Sequence, residues 1–119
     1  MLTINQIDKV LKKGVKLSLE NTANQLGYKG IYEPGLQKIT IYNKAISSLY
    51  DFDITLLHEF VHARDDLLYS YVFFTDKQGR VSDISDVIEY EQATESEAIL
   101  TYNHNSGVLD YIKEFYKIE

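Results

Sequence analysis

Apolar residues recur along the first part of the chain at Ile4, Ile7, Leu11, Val15, Leu19, Ala23 and Leu26. Steps of three and four residues set them on one helical face. The spacing therefore predicts a helix from Thr3 to about Leu26, with Gly14 as a break and Gly27 at its C-terminal end. The period then changes. Tyr28 to Tyr42 reads as a β-hairpin, because Gln37 to Tyr42 alternates polar and β-branched residues and Glu33-Pro34-Gly35 carries a turn signal. Helical spacing returns after Asp51 or Asp53, either of which could cap a second helix running to about Tyr69. Ser70 to Asp76 is apolar and aromatic, and Asp76-Lys77-Gln78-Gly79 is a turn. A third helix is expected from Ser82 or Asp83 to about Asn103, and Val108, Leu109, Ile112, Phe115 and Tyr116 form an amphipathic closing helix. Together these elements predict an α+β fold: N-terminal helix, short hairpin or sheet, two long helices and a C-terminal helix.

Length and charge bound the possibilities. A chain of 119 residues is one domain, and 45% hydrophobic with 25% charged residues is globular composition. Twelve Lys and Arg against eighteen Asp and Glu leave a net charge of −6, which argues against nucleic acid as a partner. Lys12, Lys13 and Lys16 form the one basic cluster and read as a solvated helix face. The longest dense apolar stretch, Tyr69 to Phe74, falls far short of the roughly 18 residues of a spanning helix, so no membrane partner is expected. The first residues lack the charged and apolar regions of a signal peptide, and a cytoplasmic location is expected. There is no cysteine, which excludes disulfides, thiolate metal sites and a cysteine nucleophile.

Three histidines are present, and two of them lie in His58-Glu59-Phe60-Val61-His62. On a helix this HExxH motif sets His58 and His62 one turn apart on one face, where both imidazoles can reach a single ion. Glu59, about 100° round the helix, can meet a metal-held water without being a ligand. Thr55, Asp65 and Asp66 share the polar side, while Leu56, Phe60, Ala63 and Leu67 lie opposite. Asp65 and Asp66 read equally as outer partners of the ligands or as exposed acids.

Zinc needs a third protein ligand and an open fourth position. The candidates are Glu89, Glu91, Glu95, Glu97 and His104. On the third helix Ile84, Ile88, Ile99 and Tyr102 fall within about 40° of Glu95, with Val87 and Ala98 just outside. Glu95 thus sits at the centre of the expected buried stripe, where a carboxylate is costly unless paired or bound to metal. It is the preferred third ligand. Glu91 is the candidate for an outer carboxylate orienting a histidine and the rival ligand. Glu97 falls on the opposite side and should be solvated. His104 points away if the helix continues that far, and could swing in if the helix frays.

HExxH followed by a glutamate on a later helix resembles the gluzincin zinc metallopeptidases. Thr55, Leu56, Phe60, Val61 and Ala63 comply with the uncharged surroundings of that motif, and Arg64 departs from them. Glu95-Ser96-Glu97-Ala98 is similar to the ExxA segment that carries the third ligand in small gluzincins, although Ile99 stands where many relatives have Asp or Asn. The metzincin pattern fails at Asp65 and Leu68. In size and element order the chain is most similar to the minigluzincins. The resemblance implies a zincin-like domain over residues 1–119 and a Zn2+ site of His58, His62 and Glu95. It implies a peptide or protein substrate as partner, and a monomer or homodimer. The strand Gln37 to Tyr42 would form the upper rim of the cleft, and residues 108–119 would be a closing helix or a latency segment lying in it. Glu59 would act as general base on zinc-activated water, with Tyr102 or His104 available to the developing oxyanion. The alternative is a regulatory metal-binding domain without turnover.

Overall fold

A computed structural model describes residues 1–70 and 84–118, with the backbone alone described over 84–86. It is an α+β domain in the predicted layout: α1 (Ile4–Lys12), β1 (Lys16–Glu20), β2 (Gly30–Glu33), β3 (Lys38–Tyr42), α2 (Leu49–Tyr69), α3 (Ile84–His104) and α4 (Ser106–Tyr116). Among these, no helix is long and apolar enough to cross a membrane.

Helix α1 starts in a capping box, with the Thr3 hydroxyl accepting from Gln6 N and the Gln6 side chain accepting from Thr3 N. It stops at Lys12, just before the predicted break at Gly14 and about four turns short of the predicted end at Leu26. Gly14 adopts φ 85°, a left-handed conformation that side chains resist, and the chain turns out of the helix there. Lys16 to Glu20 is strand rather than helix. Val15, Leu17 and Leu19 satisfy a period of two as well as part of a helical one, and pairing with β3 decides between them. Gly27, at φ 79°, serves a turn closed by its amide on Asn24 O, not a helix end.

The hairpin forms as predicted. β2 and β3 are antiparallel, with Gly30 opposite Ile41 and Glu33 opposite Lys38. A single 3-10 turn at Pro34–Leu36 joins them, and the left-handed residue is Gln37, not Gly35. β1 adds to β3 in parallel, giving the order β1-β3-β2. β3 is therefore the central strand with both edges paired, and β2 is an edge.

Ser48 caps α2 by accepting from Asp51 N, in place of the predicted Asp51 or Asp53. Asp51 instead takes up the Ser47 amide and hydroxyl and pairs with Lys29, while buried Asp53 pairs with Lys113 of α4 at 2.7 Å. Helix α2 is the centre of the molecule. It packs against α1, α3, β2 and β3, and nearly every residue from Asp53 to Asp65 is buried. Leu2, Ile7, Val10, Ile39, Ile41, Leu56, Leu57 and Phe60 fill the core. Helix α4 closes it through Val108, Leu109 and Ile112, and the Tyr116 hydroxyl donates to Val15 O at 2.6 Å. The segment from Tyr71 to Asp76, the turn Asp76 to Gly79 and the start of the third helix at Ser82 or Asp83 lie outside the described residues.

Candidate metal centre

His58 and His62 come off α2 one turn apart, as the motif requires, and their Nε2 atoms stand 3.2 Å from each other. Glu91 of α3 reaches both rings. Its Oε2 lies 2.8 Å from His58 Nε2 and its Oε1 3.1 Å from His62 Nε2. Glu95, one turn further on, meets the other side of the first ring, with Oε2 3.0 Å from His58 Nδ1. The Tyr90 hydroxyl stands 3.2 Å from His62 Nδ1. Each imidazole thus has a partner at Nδ1 and turns Nε2 towards Glu91. One ligand atom from each of His58, His62 and Glu91 can be chosen with all three within 4.8 Å of one another.

Two ring nitrogens and a carboxylate this close are held together either by ring N–H protons donated to the carboxylate or by a cation between them. Burial works against a charged His58, but the hydrogen bond to Glu91 and the charges of Glu59, Glu91 and Glu95 outweigh it and raise its pKa. Burial also pulls the Glu91 carboxyl up, and the bonds from His58 and His62 overcome it, holding the pKa down to about 2. The donor set of two imidazoles and one carboxylate fits a catalytic zinc site.

Glu59 is 6% exposed and lines the same cleft. Its burial raises its pKa, against the pull of His62 and His58. β2 lies directly over it: a Cβ on Gly30 would come within 2.9 Å of Thr55 Cγ2, 3.1 Å of Glu59 Cγ and 3.2 Å of Glu59 Oε2. The cleft has a volume of about 700 Å3, and its walls are the stretch from Gly27 to Tyr32, the polar face of α2, and Val87, Glu91 and Glu95 of α3.

The structure thus brings His58, Glu59, His62, Glu91 and Glu95 into one cleft and exchanges the expected positions of the two glutamates. The buried stripe of α3 is Thr94, Ala98 and Thr101, about 90° round the helix from Glu95. Ile88 and Leu100 are about half exposed at 53% and 48%, so large apolar residues mark the wrong phase. Glu91 falls between that stripe and Glu95, nearer α2. Small side chains one turn apart, Thr94 and Ala98, are the signal for this close approach of α2 and α3.

Other expectations are corrected too. Glu97 is not solvated: its Oε1 lies 2.8 Å from Nη1 of buried Arg64. His104 ends α3 exposed, roughly 13 Å along the axis from Glu95, and is not brought to the cleft. Tyr102 packs edge-on against Tyr50 and does not line the cleft. The rim strand is β2, because β3 is enclosed. No residue of α4 lines the cleft, and α4 closes the core through Val108, Leu109 and Ile112. Asp65 is buried against Tyr90 and Arg64, and Asp66 accepts from Tyr32 at 2.7 Å. Sequence reasoning passed over Tyr90 and Gly30. Neither belongs to a motif, and each matters through a neighbour that is distant in the chain. No protein-family model, curated protein or solved structure matches this chain, so its function is argued from the site itself.

Proposed function

We propose that the chain is a zinc-dependent, gluzincin-like metallopeptidase in which His58, His62 and Glu91 hold the metal and Glu59 is the general base. The observation that carries this reading is the convergence of two Nε2 atoms and one carboxylate, 2.8 to 3.2 Å apart, beside a buried glutamate in a single cleft. Glu91 takes the ligand role expected of Glu95, and Glu95 orients His58 through Nδ1. Zinc bound there would act as a Lewis acid towards water and the scissile carbonyl. Glu59 would accept a proton from the attacking water on its carboxylate and deliver it to the departing amine nitrogen. The β2 main chain borders the cleft on an edge to which no described residue pairs, so an extended peptide could add to it as a further strand. Backbone pairing of that kind gives affinity with little demand on sequence. Glu59 favours a peptidase over a domain without turnover, since a metal site that only holds structure has no use for a base.

The test is digestion of a mixed peptide library by the zinc-loaded chain, with new termini read by mass spectrometry. Wild type should cleave, and Glu59→Gln should lose at least roughly a hundredfold in rate. Cleavage by both proteins at one rate would remove Glu59 from the reaction. A zinc-loaded wild type that cleaves nothing would overturn the peptidase reading.

A further inference from the structure

We propose that Tyr32 and Asp66 are positioning residues: their hydrogen bond holds the rim strand β2 at a fixed height over Glu59. The catalytic consequence rests on the reading of Glu59 as the general base.

Three contacts run in the same order along β2 and α2. Lys29 Nζ lies 2.9 Å from Asp51 Oδ1, Gly30 stands against Thr55 and Glu59, and the Tyr32 hydroxyl donates to Asp66 Oδ2 at 2.7 Å. At about 100° per residue, Thr55, Glu59 and Asp66 fall within roughly 40° of one another, so β2 lies along one stripe of α2. The alternation of a strand sends Gly30 and Tyr32 to the same side, the side that faces this stripe.

The middle contact shapes the surroundings of Glu59 but cannot hold the strand there. Gly30 comes nearer to Glu59 than a residue with a Cβ could, and it has no side chain to grip with. β2 has four residues, pairs with β3 along one edge and offers the other to no described strand. Ladder hydrogen bonds lie within the sheet, so they fix register and leave the height of β2 over α2 to its flanking side chains. Of the two flanking ties, Lys29–Asp51 is the weaker. The Lys29 side chain is 52% exposed, and a solvated ion pair contributes little. Tyr32 is 6% exposed and its hydroxyl meets a carboxylate, which makes a charge-assisted bond. Burial and Asp66 together push the phenol's pKa up, so it stays a donor well above neutral pH. Asp66 follows Glu59 by about two helical turns, so the tie acts on the base through the strand and not by touch.

Tyr32→Phe keeps the ring in the core and removes the tie alone. In the zinc-loaded full chain it should lower kcat for peptide cleavage roughly 10- to 100-fold, with zinc affinity unchanged in competition with a chromophoric chelator. Asp66→Ala should lose as much, the double variant no more than either, and Asp66→Asn, which retains an acceptor oxygen, the least. Wild-type kcat in Tyr32→Phe, additive losses in the double variant, or a loss of zinc affinity equal to the loss of kcat would each overturn the proposal. Amide hydrogen exchange on the metal-free chain separates the tie from the peptidase reading: Tyr32→Phe should speed exchange over Gly30 to Glu33 roughly tenfold and leave α4 as it is. Exchange equal to wild type would overturn the proposal. In the wild type the Tyr32 hydroxyl proton should exchange slowly enough to appear in the 1H spectrum, and its absence would overturn the proposal with no variant needing to fold. A wild type that cleaves nothing, while β2 still exchanges faster in Tyr32→Phe, would leave the tie standing and defeat the peptidase reading instead.

Discussion

Glu91 and Glu95 are one helical turn apart on α3, and their roles divide between the two nitrogens of one imidazole. Glu91 faces His58 Nε2 and Glu95 faces His58 Nδ1. Glu91→Gln should therefore abolish tight zinc binding, and Glu95→Gln should weaken it only about 10- to 100-fold. Competition titrations against a chelator separate the two, and the opposite ranking would restore Glu95 as the ligand. The same titrations should show a defined pH dependence. His58 must lose its proton to bind metal, and its raised pKa means that protons compete up to a higher pH than for an ordinary histidine. Affinity should thus fall as pH drops through that raised pKa, rather than hold until acid pH. His58, Glu59 and His62 were legible in the sequence because a helix makes their spacing a geometry. The choice between Glu91 and Glu95 was not, because it depends on the phase of α3, and Ile88 and Leu100 mark that phase wrongly. Gly30 was also illegible as a site residue. Its role comes from β2 lying against Glu59, and Gly30→Ala should displace the Glu59 carboxylate and lower peptide cleavage while zinc stays bound.

At the scale of elements, local signals sufficed where the partner was local. The hairpin of β2 and β3, the long helix α2 and the C-terminal helix follow from turn residues and periodicity. β1 does not, because its partner β3 lies more than twenty residues away and the alternation of Lys16 to Glu20 competes with helical spacing. Gly14 is where the two readings diverge. That pairing also moves the rim of the cleft: β1 occupies one edge of β3 and β2 the other, and among the described strands it is β2 that borders the cleft with an edge to offer. Caps are a further local detail settled by the fold. Ser48 takes the N-terminus of α2, and Ser48→Ala should cost about 1 kcal/mol in thermal or urea unfolding. An unchanged midpoint would show that Asp51 can serve in its place.

At the scale of the molecule, one helix serves both core and chemistry. Helix α2 is buried on almost every side, and its one polar face opens onto the cleft. Helix α4 completes the core and lines no part of that cleft, so its loss should act on folding. Ile112→Ala should destabilise by about 2 to 5 kcal/mol, and deletion of residues 108–119 should unfold the chain rather than release activity. The proposed site links metal to stability as well, since His58 and His62 of α2 and Glu91 of α3 meet only in the folded state. Zinc at a hundred times its dissociation constant should add about 2.7 kcal/mol, read as a chelator-reversible rise in melting temperature. The most direct test of the central claim is metal analysis of the tag-free protein. The site predicts about one zinc per chain, kept in Glu59→Gln and lost in Glu91→Ala. A wild type without metal, or full zinc retained by Glu91→Ala, would contradict it.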